Sequence, residues 1–162
     1  MRIAFGADER THLTDFLVEE LRRRGHEVCV HGPPAGEATQ WADVARQVAE
    51  EVAAGRVEQG LLCCWTGTGV SIMANKVPGV RAALCADAET ARGARLWNDA
   101  NVLCLSLRTT AEPVAKEILD AWFSVSGPDP SELENIERVR QQDAARSALS
   151  GAAVRDSPGQ GA

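Results

Sequence analysis

The sequence lacks the long apolar run that a membrane-spanning helix requires. No uninterrupted apolar stretch of its 162 residues approaches the length of about 18 that such a helix needs. Its start also lacks the basic and then apolar segments that are typical of a secretory signal peptide. Positive charge is scarce as well, with 17 Lys and Arg against 23 Asp and Glu and a formal net charge of -6. We therefore expect a cytoplasmic protein with no membrane and no nucleic acid among its partners.

Motifs for zinc and for a disulfide framework are missing too. The five cysteines are odd in number and occur mostly in apolar runs, which is typical of buried, reduced thiols. No C-x-x-C motif and no pair of histidines supports a zinc site. Cys63 and Cys64 are neighbours whose side chains would point to opposite faces of a strand. We expect neither a metal ion nor a cofactor.

What the sequence does contain is an alternation of short apolar runs with amphipathic segments. Its composition, 44% hydrophobic and 25% charged, is ordinary for a globular protein, and its length is most simply that of one domain. The alternation predicts an α/β domain of three αβα layers around a five-stranded, mostly parallel, Rossmann-like sheet. We predict strands at residues 2–6, 27–31, 60–64, 80–85 and 101–105, and helices at 12–24, 41–54, 71–76, 87–97, 111–123 and 131–149.

The end of the chain differs in character from the rest. Gly127-Pro128 marks a turn, and Ser131 with Glu134 predicts a capping box at the start of a charged helix. Residues 150–162 show no apolar period, which is typical of a disordered tail. We therefore predict a single domain over residues 1–149 followed by a tail.

The most informative stretch is the loop after the third predicted strand. Here Cys64 and two threonines, Thr66 and Thr68, alternate with Trp65 and the glycines Gly67 and Gly69. A strand that ends at a glycine-rich turn before a helix leaves backbone N–H groups unpaired, and these groups can bind an anion. A thiol and two hydroxyls beside such groups indicate chemistry on an oxygen-rich small molecule.

Other polar residues follow the remaining predicted strands. In a parallel α/β sheet, ligands bind outside the carboxyl ends of the strands. Asp8 and Glu9 follow the first strand, Asp87 follows the fourth, and Arg108 follows the fifth as a candidate anion ligand. These residues are expected to lie at the same edge of the sheet as the glycine-rich loop.

Four segments of the chain occur in the order found in one known family. They are Arg2-Ile3-Ala4-Phe5-Gly6-Ala7-Asp8, Cys64-x-Thr66-Gly67-x-Gly69-x-Ser71-x-x-Ala74-Asn75-Lys76, Gly79-Val80-Arg81-Ala82-Ala83-Leu84-Cys85 and Asn98-Asp99-Ala100-Asn101-Val102-Leu103. Over roughly the first 125 residues, the sequence resembles the type B ribose-5-phosphate isomerase and galactose-6-phosphate isomerase family. The resemblance implies metal-free aldose–ketose isomerisation of a small sugar phosphate.

The resemblance also implies an assembly and a set of residue roles. It implies a homodimer, or a tetramer built from such dimers, in which each active site is shared and the helix at 131–149 packs on the partner subunit. Cys64 matches the position of the base that moves a proton between carbons 1 and 2 through a cis-enediolate. Thr66 and the amides of the following loop would hold the oxyanion. Asp8 and Asn98 would contact sugar hydroxyls, and Ser71 would lie near the loop.

Several positions depart from the family pattern. A phosphate-contacting histidine is replaced by Glu9, a ring-opening histidine by Trp97, and a small glycine by Trp65. Of a pair of phosphate-binding arginines, Arg138 is kept and Glu134 occupies the other place. A carboxylate about 4 Å from a phosphate repels it by roughly 1 to 4 kcal/mol, and loss of a ring-opening acid or base costs about 10²–10⁴ in rate. We therefore predict an atypical substrate rather than ribose 5-phosphate.

Alternatives remain open at this point. Cys64 could be an inert buried thiol, and Trp65 and Trp97 could be packing residues. The chain could also be a catalytically impaired binding or regulatory subunit, or an ordinary ribose-5-phosphate isomerase with substituted residues. The isomerase or epimerase with an altered sugar substrate is the hypothesis that we carry forward.

Overall fold

A computed structural model describes residues 1–33 and 36–155 of the chain. Five strands form one sheet in the order β2-β1-β3-β5-β4, and every neighbouring pair is parallel. The strands are β1 (Arg2–Ala7), β2 (Glu27–His31), β3 (Gln59–Cys64), β4 (Ala82–Leu84) and β5 (Val102–Ser106). The predicted α/β fold with a five-stranded parallel sheet is confirmed.

Helices cover both faces of this sheet. They are α1 (His12–Arg23), α2 (Trp41–Ala53), α3 (Thr68–Ala74), α4 (Ala88–Asn98), α5 (Glu112–Phe123) and α6 (Leu133–Arg155). Helices α1, α4 and α5 contribute to one buried cluster, and α2 and α3 contribute to the other. Within the described residues, no helix is both long and apolar enough to cross a membrane.

The two faces are filled with side chains of different size. Under α1, α4 and α5, the leucine-rich face is built largely from large residues, and its core includes Phe5, Leu17, Leu61, Leu103, Ile118, Leu119 and Trp122. Under α2 and α3, the valine-rich face is built mostly from Val and Ala. A Cβ added to Gly6 on β1 would come within 2.7 Å of Val44 Cγ1 and 2.8 Å of Val48 Cγ2. Helix α2 therefore packs directly against strand backbone on the valine-rich face.

Polar side chains cap several helices. Thr11 Oγ1 accepts a hydrogen bond from the Thr14 amide at 3.3 Å, and Thr14 Oγ1 accepts one from the Thr11 amide at 2.8 Å, so Thr11 is the N-cap of α1. Asp87 caps α4 by accepting from the Thr90 amide at 2.8 Å. Ahead of α6, the expected capping box does not form. Asp129 instead accepts from the Ser131 amide at 2.8 Å, because a 3-10 turn at Pro130–Glu132 precedes the helix.

Strand β4 and helix α6 differ in length from the sequence prediction. The predicted strand 80–85 shortens to three residues because the Val80 amide donates into a turn at Val77 and the Arg81 amide donates to the Asn101 side chain. The sequence predicts a tail from residue 150, whereas α6 continues to Arg155. Two alanines at 152 and 153 favour this continuation, since Ala has the highest helix propensity. Residues 156–162 of that predicted tail lie outside the described residues.

All five cysteines are free thiols in this structure. Four of them are buried, as expected, but Cys29 is exposed. The reason is the position of β2, an edge strand whose residues are only partly covered.

Candidate active site

The carboxyl ends of three strands bring polar residues together on the valine-rich face. Ala7 lies opposite Cys63, and Cys64 lies opposite Ser106. Side chains alternate along a strand. Asp8, Cys64 and Ser106 therefore end three neighbouring strands on the same face of the sheet, at one edge. Ser106 was not predicted as a site residue. It is distant in sequence from the glycine-rich loop, and only the register of β3 and β5 places it opposite Cys64.

The two adjacent cysteines have opposite surroundings. Cys63 belongs to the leucine-rich face, where complete burial raises its pKa well above the ordinary value. Cys64 belongs to the valine-rich face at the very end of β3 and is 5% exposed. Position in the strand thus separates a thiol held within the core from one that adjoins the loop at the sheet edge.

The loop after β3 makes a tight turn into α3. Gly67 has a φ of 75° and caps α3, and a Cβ there would come within 2.9 Å of the Leu105 carbonyl oxygen. Its amide donates to the Cys64 carbonyl at 3.2 Å. Hence the Gly67 amide, predicted from the sequence as part of the oxyanion site, is already used within the loop. The amides of Thr68 and Gly69, at the start of α3, have no intrahelical acceptor.

Two hydroxyls face solvent beside this turn. Thr66 Oγ1 and Thr68 Oγ1 are 2.7 Å apart and form a hydrogen bond in which either can be the donor. Only one hydroxyl proton is used in that contact, so the other remains available to an oxygen of a bound molecule. The Trp65 side chain between Cys64 and Thr66 is 59% exposed.

The backbone of this loop is fixed from β5. The Trp65 carbonyl accepts from the Ser106 hydroxyl at 2.9 Å and from the Arg108 amide at 3.0 Å. The Arg108 side chain is exposed, and within the described residues no acidic group pairs with its guanidinium. It is therefore free to meet an anion at this edge.

Two further side chains near the loop are those of Trp41 on α2 and Ser71 on α3. Trp41 packs over Gly69, where an added Cβ would meet its ring at 3.1–3.3 Å. Ser71 lies close to the thiol of Cys104, which belongs to the buried cluster of the valine-rich face. Trp41 was not predicted as a site residue, because only the fold brings α2 over α3.

Asp8 carries an unusual carboxylate. Its Oδ1 atom is buried and has no hydrogen-bond partner within the described residues. Burial, reinforced by the nearby charge of Glu9, raises the pKa of Asp8 above its ordinary value. A buried acceptor without a partner is costly in a folded protein. This oxygen is therefore well suited to a ligand hydroxyl.

Glu9 borders a separate depression. Its backbone forms an isolated bridge with Ala38, and its side chain helps to line a cavity of about 310 Å³ between α1 and the end of β2. Arg10 and Arg22 also line this cavity, together with Asp15 and Glu19. Glu9 is thus surrounded by charges of both signs.

Three predicted site residues lie elsewhere in the chain. Helix α4 runs away from the carboxyl edge and ends with Trp97 and Asn98 just before β5, at the opposite edge of the sheet. An 11-residue helix is about 16 Å long, so one chain does not bring these residues to Cys64. Trp97 folds back over Gly93, whose added Cβ would lie 2.5 Å from its ring. Arg138 lies on α6 and pairs with Glu134 at 2.5 Å.

A network of ion pairs joins α4 to α6 at that opposite edge. Asp99 pairs with Arg81 at 2.9 Å and with Arg140 at 3.2 Å. These contacts give Arg81 a structural role. The network places the end of α4 next to α6 and hence groups Trp97, Asn98 and Arg138 in one region.

Comparison with known proteins decides the family. The sequence profile described as Ribose/Galactose Isomerase matches residues 3–142. This chain belongs to that family. Ribose-5-phosphate isomerase B of Escherichia coli K12 is 38% identical over 145 residues, covering 87% of this chain and 97% of that protein. D-erythrulose-4-phosphate isomerase of Pectobacterium atrosepticum is 35% identical over 141 residues, covering 86% and 93%.

Solved structures agree with this assignment. The ribose-5-phosphate isomerase B of Clostridium thermocellum superposes with a TM-score of 0.85 at 33% identity, over 90% of this chain and 99% of that one. The resemblance seen in the sequence is therefore confirmed. As a member of the ribose/galactose isomerase family, the chain is an isomerase, and its curated relatives include enzymes named for different sugar phosphates.

Proposed function

We propose that the protein interconverts an aldose and a ketose through a cis-enediolate, with Cys64 as the base. The observation that carries this proposal is the placement of Cys64 beside Asp8, at adjacent strand ends, directly before the turn that holds Thr66. No other cysteine among the five adjoins both a strand end and this loop. The thiolate is therefore next to hydroxyl and carboxylate groups that suit a sugar.

The residues divide the chemistry as follows. The Cys64 thiolate removes the proton on carbon 2 of the open-chain aldose and returns it to carbon 1, while the hydroxyl proton on oxygen 2 moves to oxygen 1. Thr66, supported by its hydrogen bond to Thr68, donates to the enediolate oxygen. The unpartnered Oδ1 atom of Asp8 accepts from a sugar hydroxyl.

We further propose that each site is shared between two subunits. Trp97, Asn98 and Arg138 lie near the edge of the sheet opposite to Cys64, so they can reach such a site only from a second copy of the chain. A homodimer, with α6 of one subunit packed on the other, satisfies this requirement. Within one chain α6 is anchored by few buried residues, of which Ile136 is 2% exposed.

We also propose that the substrate is a sugar other than ribose 5-phosphate. Glu9 is a carboxylate where the family resemblance implies a phosphate contact, and Trp97 cannot act as an acid or base for ring opening. On α6, Glu134 stands in the place of the second phosphate-binding arginine and pairs with Arg138, so it offsets the charge of the arginine that is kept. These features favour an open-chain, non-phosphorylated or cationic sugar over ribose 5-phosphate.

The test compares the two adjacent cysteines. Wild-type protein, Cys64→Ser and Cys63→Ser are incubated in D₂O with a panel of sugars, amino sugars and sugar phosphates, and deuterium incorporation at carbon 2 is followed by NMR. We expect Cys64→Ser to lose about 10²–10⁴ in exchange rate, whereas Cys63→Ser stays within about tenfold of wild type. Equal exchange by Cys64→Ser and wild type would refute the role of the thiol.

The substrate class is tested by restoring histidines. A Glu9→His, Trp97→His double variant is expected to gain activity on ribose 5-phosphate, relative to wild type, because a cation and a ring-opening group return. Full turnover of ribose 5-phosphate by the wild-type chain would contradict the altered substrate. Binding of a sugar by wild type without any exchange would instead support the binding or regulatory subunit.

A further inference from the structure

A cluster of three metal-binding side chains lies away from the candidate active site. Cys29 and His31 belong to β2, and Glu51 belongs to α2. Their donor atoms all lie within 4.8 Å of one another. None of these residues has a part in the isomerisation proposed above.

The fold brings the three side chains together in a simple way. Cys29 and His31 are two residues apart, so both project from the same face of the edge strand. Helix α2 crosses that face and presents Glu51, whose Oε2 atom is 3.3 Å from His31 Nε2. Cys29 Sγ is 3.7 Å from the same nitrogen. His31 Nε2 is thus the centre of the cluster.

These separations match those between ligands of one tetrahedral ion. With zinc bonds of about 2.3 Å to sulfur and about 2.0–2.1 Å to nitrogen and oxygen, tetrahedral geometry places sulfur about 3.6 Å from nitrogen and nitrogen about 3.4 Å from oxygen. The distances of 3.7 Å and 3.3 Å agree with these values. The third pair, Cys29 and Glu51, lies within 4.8 Å, so rotation of these side chains would bring all three donor atoms to one ion.

We propose that Cys29, His31 and Glu51 form a binding site for Zn²⁺. The cluster offers a thiolate, an imidazole and a carboxylate, which together suit zinc and exclude Mg²⁺ and Ca²⁺ as preferred ions. On binding, the thiol of Cys29 gives its proton to solvent, and the two anionic ligands balance the charge of the ion. His31 binds as neutral imidazole through Nε2.

Access and position also favour metal binding. Cys29 is exposed, and the side chains of His31 and Glu51 are 19% and 21% exposed, so an ion can enter without unfolding. Solvent would supply a fourth ligand, as in zinc sites with three protein ligands. The bound ion would join the edge strand β2 to α2. It would do so just before Gly32 and Pro33, which border the cavity at Glu9.

Metal-free protein titrated with Co²⁺ tests the proposal. We expect one equivalent to bind with a thiolate-to-cobalt charge-transfer absorption, and Zn²⁺ to abolish the absorption by displacing the cobalt. Cys29→Ser removes that absorption, and Glu51→Gln and His31→Gln weaken Zn²⁺ binding at least about tenfold. Zn²⁺ is also expected to raise the thermal midpoint of wild type but not of Cys29→Ser.

A neighbouring residue provides the control. Glu50 lies beside Glu51 on α2 but pairs with Arg46 at 3.1 Å, so Glu50→Gln should bind Zn²⁺ like wild type. Absence of the thiolate absorption in wild type would overturn the proposal. The same holds if the absorption persists in Cys29→Ser, or if Glu51→Gln binds Zn²⁺ as tightly as Glu50→Gln.

Discussion

The two faces of the sheet perform different tasks. The leucine-rich face fills its space with large side chains, including the buried ring of Trp122, and it holds α1, α4 and α5. The valine-rich face fills its space with small ones, so α2 and α3 lie close to the strands. The strand-end residues Asp8, Cys64 and Ser106 of the candidate site lie on this second face. Large buried side chains therefore stabilise the fold on one face. On the other face, small side chains allow the helices and their loops to lie close to the strand ends.

The largest stability effect is expected from Trp122→Ala on the leucine-rich face. The ring is 1% exposed, and its indole N–H donates to Gln59 at 2.7 Å. Removal of this side chain should lower the free energy of unfolding by about 3–5 kcal/mol. Urea denaturation measures the change, with Trp97→Ala as the exposed control. A loss below about 1 kcal/mol would show that this face does not depend on bulk.

A smaller loss of stability is expected from Gly6→Ala on the valine-rich face, where a group is added rather than removed. Here the added methyl group is too large for its site, since it would contact Val44, Val48 and Leu62 at 2.7–2.9 Å. Overpacking of this kind should cost about 1–3 kcal/mol. Gly127→Ala is the matched control, because nothing lies within 4 Å of the added atom. Equal stability of the two variants would contradict close packing of α2.

The smallest change in the free energy of unfolding is expected from Glu20→Gln, which removes a buried carboxylate on α1. On α1, Glu20 is buried and accepts hydrogen bonds from Arg23 and Arg24, and the Arg23 contact is the main reason why its pKa falls to about 2. Arg24 also pairs with Asp120 of α5 at 2.6 Å. Glu20→Gln should therefore lower the free energy of unfolding by about 1–2 kcal/mol at pH 7.

The pH dependence of that effect has a defined sign. Because the pKa of Glu20 is lower in the folded state, its contribution is complete above the ordinary value near 4.5 and is lost as the pH falls toward 2. The stabilities of wild type and Glu20→Gln should thus converge as the pH falls from about 5 to about 2 in denaturation experiments. Exposed Glu19→Gln should match wild type throughout. A difference that stays constant over this range would assign the effect to packing.

Much of the fold could be predicted from sequence because it depends on local periodicity. The apolar runs and the capping residue Thr11 specify β1, α1 and the other main elements directly. Side-chain hydrogen bonds are harder to foresee. The Asn101 side chain accepts a hydrogen bond from the Arg81 amide, which shortens β4. Asp129, rather than Ser131, is the capping residue before α6. These hydrogen-bond partners meet only in the folded chain, so the local sequence pattern does not predict them.

The candidate site was only partly predictable. The motif around Cys64 and the strand-end position of Asp8 follow from short segments of sequence. The packing of Trp41 over Gly69 and the proximity of Ser71 to Cys104 join elements that are distant in sequence, so residue spacing does not predict them. For the same reason, Glu51 could not be linked to the pair on β2. The sequence also did not show that Trp97 would lie at the opposite edge from Cys64.

The distribution of tryptophan has a spectroscopic consequence. The sequence contains four tryptophans and no tyrosine, so nearly all of the protein's intrinsic fluorescence comes from indole rings. Trp122 is enclosed and should emit at shorter wavelength, whereas Trp41, Trp65 and Trp97 face solvent. Emission from the enclosed ring therefore reports unfolding. Quenching of the other three reports, without any attached dye, what approaches the loop and the end of α4.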